Sequence, residues 1–275
     1  TNKWSIWQSS ALFVLRLAQD LEPDELALLG AMLEDKGETY LSVVLGKEAV
    51  SRGVMLPRSY FPVHPLAQTD LPVSPELALA IARRESEFNF TVGSPVGALG
   101  LMQLMPATAR EVAEGLGLPY TSAMLTDGWQ YNAQLGSAYL AELTQTFGES
   151  PVMIAAGYNA GPSRPRSWMA QRGDPRAGAV DIVDWIEHIP FNETRNYVMR
   201  VAESLPIYRA RLTGQTGLVH FSALLIGAPP FIRPQARPSP AERAAVEAER
   251  LADEQRVFAP LTALRPLARP EVEPG

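Results

Sequence analysis

Apolar residues recur at three- and four-residue spacing along most of the chain up to about residue 212, and strict alternation is nearly absent. That period predicts helices. Ser10 precedes ALFVLRLAQDL, with Leu12, Leu15 and Leu17 among its apolar positions. Pro23 sits where a first helical turn tolerates proline, ahead of DELALLGAMLEDKG, and ETYLSVVLGKEAV follows Gly37. Pro57, Pro62, Pro65 and Pro72 then interrupt the pattern, as a connector would. Ser74–Pro75–Glu76 is a strong start: a capping hydroxyl, a proline and an acid in the first turn. The helix it opens is expected to run to about Phe88. Pro106 opens ATAREVAEGLG, closed by Gly115 and Gly117. WQYNAQLGSAYLAELTQTFG carries Leu135, Tyr139, Leu143 and Phe147 along one stripe, and SPVMIAAGYNAG follows. A last helix begins near Asn192, with Pro206 expected to end or kink it. Only the glycine-studded GSPVGALGLMQLMP invites short extended pieces.

The predicted class is therefore all-α, with a helical segment over 1–72, a central domain over 73–213 and a C-terminal extension over 214–275. In the extension, VHFSALLIGAPPFI is apolar but broken by proline and too short to span a bilayer. PAERAAVEAERLADEQRVF reads as one helix, and APLTALRPLARPEVEPG as a proline-rich tail, extended or loosely held. No internal repeat is evident.

Composition narrows the chemistry. The 275 residues carry a net charge of -6. Binding a phosphate backbone needs clustered Lys and Arg, and no such cluster occurs, so a nucleic-acid partner is not expected. With no cysteine, disulfides, thiolate catalysis and Cys-based zinc sites are excluded. His64, His188 and His220 are widely spaced and form no HExxH pattern, so structural or surface roles are expected for them and no metal or cofactor is called for. No stretch has the length and apolarity of a membrane span, and none has the layout of a signal peptide.

One carboxylate is out of place. On the helix from Pro75, Leu77, Ile81 and Phe88 mark the apolar stripe, and Glu85 falls four residues after Ile81 and three before Phe88. A glutamate there costs free energy unless something satisfies it, and burial raises its pKa. A carboxylic acid kept protonated near neutrality can donate to a leaving oxygen, as glycosidic cleavage requires. The bland alternative is a buried Glu that caps a backbone group or is paired to Arg84 or Arg195.

The run AIARRESEFNFTVGSPVGALGLMQLMPATA (Ala80 to Ala109) resembles the signature of the soluble lytic transglycosylases and the wider goose-type-lysozyme-like group. AAGYNAGPSRPRSW (Ala155 to Trp168) resembles that family's A-Y-N-A-G-P segment, and IEHIPFNETRNYV (Ile186 to Val198) its E-x-I-P-F-x-E-T-R-x-Y-V segment. The three occur in family order over about 120 residues. The resemblance implies a lysozyme-like helical domain. It also implies cleavage of peptidoglycan glycan strands between N-acetylmuramic acid and N-acetylglucosamine, with a 1,6-anhydromuramyl product, in the periplasm or cell envelope. The helices before Asp70 look like the end of a helical linker region.

By the same resemblance Glu85 matches the single catalytic acid/base, and Glu87, two residues on, points elsewhere. Ser94 matches a serine contacting the glycan, although it is also a natural turn residue before Pro95. Gln103 and Met105 match subsite-lining positions, Met105 being open to plain core packing as well. Tyr158 and Asn159 match the tyrosine and asparagine of the second segment, the tyrosine expected to bond the catalytic acid or the substrate acetamido group. Glu193 matches a substrate-contacting acid and equally reads as a first-turn acid, with Tyr197 one turn on lining the cleft. Gly97 and Gly100 are expected to allow close approach to the sugar, and Gly157 stands where the family often has alanine. The alternatives are a goose-type hydrolase of the same bond and a non-catalytic peptidoglycan-binding scaffold.

Overall fold

Helices α1 (Lys3–Asp20), α2 (Pro23–Asp35) and α3 (Thr39–Ser51) close on a small core of their own, in a computed structural model that describes residues 3–227. Val14, Ala18, Leu26, Leu33, Leu41 and Leu45 are buried there. The first turn of α2 is completed by Glu25, whose carboxylate accepts from the Glu22 backbone N–H at 2.9 Å. The proline-rich connector is more ordered than its sequence suggests. Its prolines open two short turns, α4 (Pro57–Tyr60) and a 3-10 turn over Pro65–Gln68, each with proline at a position where no N–H is needed.

The main core is built by α5 (Pro75–Ser86), α8 (Trp129–Phe147), α9 (Pro151–Ala160) and α12 (Asn192–Thr213). Leu79 and Ile81 of α5 are fully buried, and each contributes about 2 kcal/mol of hydrophobic stabilisation. Ser74 caps α5 through its backbone alone, since its hydroxyl makes no capping bond. The helix stops at Ser86, two residues short of the expectation, because Glu87 and Phe88 turn left-handed, with φ of 54° and 70°. Phe88 thus enters the core from a corner and not from another helical turn. Left-handed backbone costs a residue with a side chain about 1–2 kcal/mol, so this corner must be held by its surroundings.

A second lobe packs α6 (Pro106–Gly115), α7 (Met124–Asp127) and one face of α8 around Val112, Leu125 and Leu135. α6 ends as expected at its glycines, with Gly117 at positive φ and the Leu118 N–H bonded to the Ala113 carbonyl at 2.8 Å. Between α5 and α6, isolated antiparallel bridges join Gly93 to Leu99 and Leu99 to Leu104, the extended pieces anticipated there. α10 (Ser163–Arg172), a 3-10 turn (Pro175–Ala177) and α11 (Ile182–Glu187) lead to α12, and α13 (Phe221–Ile226) follows it.

Pro206 does not end α12, which continues for a further two turns. The bond that Pro206 cannot donate is outweighed by burial on both sides of it, Leu205 at 4% and Tyr208 at 0% exposure. The N-terminal helices dock on this element through Glu34, whose carboxylate takes Arg58 Nε at 2.8 Å and Arg211 Nη2 at 3.0 Å. Among the described residues no helix is long and apolar enough to cross a membrane. The helix expected over PAERAAVEAERLADEQRVF and the proline-rich tail lie outside the described residues.

Candidate active site

The last turn of α5 carries Glu85, a half-buried residue whose carboxyl is met by a helix far away in the chain. The Tyr197 hydroxyl, on the second turn of α12, donates to Glu85 Oε1 at 2.6 Å. No Arg–carboxylate bond to Glu85 forms among the described residues. Arg195 instead donates to the Ile189 carbonyl and to Asn192 Oδ1, and the exposed Arg84 lies over the Tyr197 ring, 5.8 Å from its centroid. The bland ion-pair reading of Glu85 is thereby set aside.

Burial pushes the Glu85 carboxyl up to about 7. The Tyr197 hydrogen bond and the Arg84 charge pull in the opposite direction, because both favour the carboxylate. Glu193, exposed in the first turn of α12, adds a smaller upward push by like-charge repulsion. Tyr197 and Tyr158 are themselves raised well above the usual phenol range, by burial first and by the Glu85 charge second, so both stay protonated donors. An acid poised near neutrality with a fixed phenol donor on one oxygen is equipped for proton transfer.

Tyr158 does not bond Glu85. Its hydroxyl donates to the Met102 carbonyl at 2.8 Å, fastening α9 to the loop between α5 and α6. Asn159, the next residue, accepts from Thr194 Oγ1 at 2.7 Å and so joins the C-terminal end of α9 to the start of α12. The loop is stitched to α5 from the other side, where Ser86 Oγ donates to the Leu101 carbonyl at 2.6 Å. Gln103, at φ 47°, turns its amide inward to the Val92 and Gly100 carbonyls, at 3.0 and 2.8 Å. Ser94 Oγ accepts from the Ala98 N–H at 2.9 Å, which is its turn-forming role. Met105 is 45% exposed, so plain core packing does not describe it.

One glycine expectation changes. A side chain at Gly100 would run into the Leu125 carbonyl and the Asn132 amide, so the close approach is to the protein's own scaffold, while Gly97 faces open space. A methyl at Gly157 would meet Phe147 at 2.9 Å and Leu143 at 3.1 Å, which places this position against α8 in the core. The histidines are structural or superficial: His64 is 4% exposed and stacked in the core, His188 Nδ1 lies 2.7 Å from the Asp184 carbonyl, and His220 is exposed.

Asn132 escaped the sequence reading. It is fully buried in α8, where Oδ1 accepts from the Met102 N–H and Nδ2 donates to the Leu99 and Leu125 carbonyls. Its signal was present: a polar residue one turn before Leu135, on the same stripe, invites the question asked of Glu85.

Residues 66–179 match the Transglycosylase SLT domain. Over 154 residues the chain is 40% identical to the soluble lytic murein transglycosylase of Escherichia coli K12, an alignment covering 53% of this chain and 23% of that protein. The chain therefore spans about a quarter of that relative's length. The crystal structure of the 70 kDa soluble lytic transglycosylase of Escherichia coli superposes with a TM-score of 0.66 at 32% identity, over 76% of this chain and 34% of that one. An inactive glutamate-to-glutamine mutant of the lytic transglycosylase Slt from Pseudomonas aeruginosa superposes with a TM-score of 0.59 at 30% identity, over 73% and 32% of the two chains.

Proposed function

We propose, from the match of residues 66–179 to the Transglycosylase SLT domain and the similarity to soluble lytic murein transglycosylases, that the protein is a peptidoglycan lytic transglycosylase of the cell envelope. It cleaves the β-1,4 bond between N-acetylmuramic acid and N-acetylglucosamine. The observation that carries the reading is the Glu85 carboxyl, raised by burial to about 7 and held at 2.6 Å by the Tyr197 hydroxyl.

Glu85 donates its proton to the bridging oxygen as the bond from muramic C1 to that oxygen breaks, releasing the N-acetylglucosamine end as an alcohol. The 2-acetamido oxygen of the muramic residue shares the positive charge left at C1. The Glu85 carboxylate then removes the proton of the C6 hydroxyl, whose oxygen closes on C1. The product is the 1,6-anhydro sugar, and Glu85 ends protonated as it began. One carboxyl suffices because the nucleophile belongs to the substrate. Tyr197 steadies Glu85 through both steps by donating to the oxygen that is not exchanging the proton. Glu193, Asn159, Tyr158, Ser94, Gln103 and Met105 lie on the elements that surround this carboxyl and are assigned to binding the strand or shaping its groove. The inactive glutamine mutant of the Pseudomonas aeruginosa relative supports a glutamate in the acid role.

Digestion of purified peptidoglycan by the unmodified chain and by Glu85→Gln, with products read by mass, tests the proposal. Anhydromuramyl ends are expected from the unmodified chain, with a loss of about 100-fold or more in the variant, the range for removing a general acid. Reducing ends in place of anhydro ends would make the protein a hydrolase. Undiminished cleavage by Glu85→Gln would remove Glu85 from the chemistry.

A further inference from the structure

The corner that follows the proposed acid is made of two residues in the left-handed region, Glu87 and Phe88, and neither is glycine. A glycine would take this conformation without strain, so the side chains present are there for what they hold. Glu87 reaches Lys47 of α3 at 2.7 Å, an exposed contact that contributes little. Phe88 is 2% exposed, and its ring lies flat on the imidazole of His64, with centroids 5.2 Å apart and planes 10° from parallel. The ring of Trp129, at the start of α8, packs near-perpendicular to the imidazole, with centroids 4.9 Å apart and planes at 87°. His64 is pinned in turn by its own backbone, since Nδ1 accepts from the Leu66 N–H at 3.1 Å. The segment that supplies it precedes residue 66, where the family match begins.

We infer that His64 is a positioning residue for Glu85: packed against both Phe88 and Trp129, it holds the left-handed corner that ends α5 and thereby sets where the Glu85 carboxyl lies. The inference rests on the reading of Glu85 as the acid. Burial holds the imidazole down to about 4, so His64 is neutral wherever Glu85 titrates and takes no part in the proton transfer. The charged and titratable groups that act on Glu85 itself are Arg84, Glu193, Tyr197 and Tyr158. His64 acts on it through ring packing alone.

Two substitutions in the full chain separate the ring from the turn it caps. His64→Asn keeps a side-chain acceptor for the Leu66 N–H and removes the ring, whereas His64→Phe keeps a flat ring against Phe88 and removes the acceptor. Phe88→Leu keeps an apolar side chain at the corner without a ring face, and it serves should either His64 variant fail to fold. His64→Asn and Phe88→Leu are expected to lower kcat about tenfold to a hundredfold, the scale for a displaced catalytic group, with KM for peptidoglycan within about twofold. His64→Phe is expected to stay within about threefold of the unmodified chain in both. The Glu85 carboxyl, followed by carbon-13 NMR titration, is expected to move below about 7 in the two ringless variants as water reaches it. A ringless variant with unchanged kcat and titration overturns the inference, as does a His64→Phe protein as impaired as His64→Asn. The titration needs no turnover. If the unmodified chain forms no anhydro product, the proposed function fails while the positioning inference is still judged by the movement of the carboxyl.

Discussion

Replacing Glu85 with glutamine is expected to stabilise the fold, and to do so only above a defined pH. Glutamine keeps the length of the side chain and an oxygen that can accept from Tyr197, and it removes the titration. In the unfolded chain the Glu85 carboxyl ionises near 4.5, and in the folded protein near 7. Below 4.5 it is protonated in both states and costs the fold nothing. Between 4.5 and about 7 the unfolded chain releases the proton while the folded one keeps it, so stability falls as pH rises and levels off above about 7. At about 1.4 kcal/mol per tenfold change in proton affinity, the full cost is about 3 kcal/mol. Groups shared by the two proteins cancel in their difference. Urea unfolding of both, at steps from pH 4 to pH 8, is therefore expected to give equal midpoints at the acid end. At the alkaline end Glu85→Gln should lead by about 3 kcal/mol, or about 2–4 °C in Tm for each of them. A difference that does not change with pH, or one favouring the unmodified protein at pH 8, would refute the claim that the carboxyl is buried at a cost.

Tyr197→Phe removes a bond that favours the carboxylate, so the alkaline limb of kcat against pH is expected to move up by about one pH unit; a limb moving down would contradict the assignment. Asn132→Ala leaves the Met102 N–H and the Leu99 and Leu125 carbonyls without their partner in a buried place. A Tm on the order of 10 °C lower is expected by calorimetry, and a neutral outcome would mean that water or a shifted loop replaces all three bonds. Gly100→Ala combines a φ of 82° with a collision against the Leu125 carbonyl, and is expected to cost about 2–4 kcal/mol in denaturant titration, with loss of cleavage as the loop shifts.

Glu85 could be picked out in the sequence because its oddity is local, a carboxylate three and four residues from apolar neighbours on one helix. Its partner could not. Tyr197 lies 112 residues away, and no periodic pattern says which of several tyrosines will reach it; the family motif led instead to Tyr158, which the loop carbonyl of Met102 claims. The long helices were legible from their stripes. α10 was not, because SRPRSWMAQR buries only Pro165 and Trp168 and so shows almost no period. α11 carried a readable start in Asp181, whose carboxylate accepts from the Val183 and Asp184 N–H groups, but it is only six residues long. Of the end or kink expected at Pro206, the end does not occur, because local propensity for a break is outweighed by the burial of Leu205 and Tyr208.

The match to the Transglycosylase SLT domain stops at residue 179, and the fold argues that a working unit does not. Tyr197, Val198, Val201, Leu205 and Tyr208 of α12 are buried in the main core, along α5 and α9. At about 2 kcal/mol for each such side chain, their removal forfeits on the order of 10 kcal/mol, comparable to the entire net stability of a domain. Glu85 would lose the Tyr197 donor along with them, and the Asn159 side chain its partner Thr194. A fragment cut to residues 66–179 is therefore expected to lack a cooperative melting transition by circular dichroism, whereas a chain continued through Thr213 has all of α12 to close the core. A cooperatively melting 66–179 fragment would show that α5 and α9 bury their faces without α12, and the coupling of Glu85 to Tyr197 would then be an addition to a fold that stands without it.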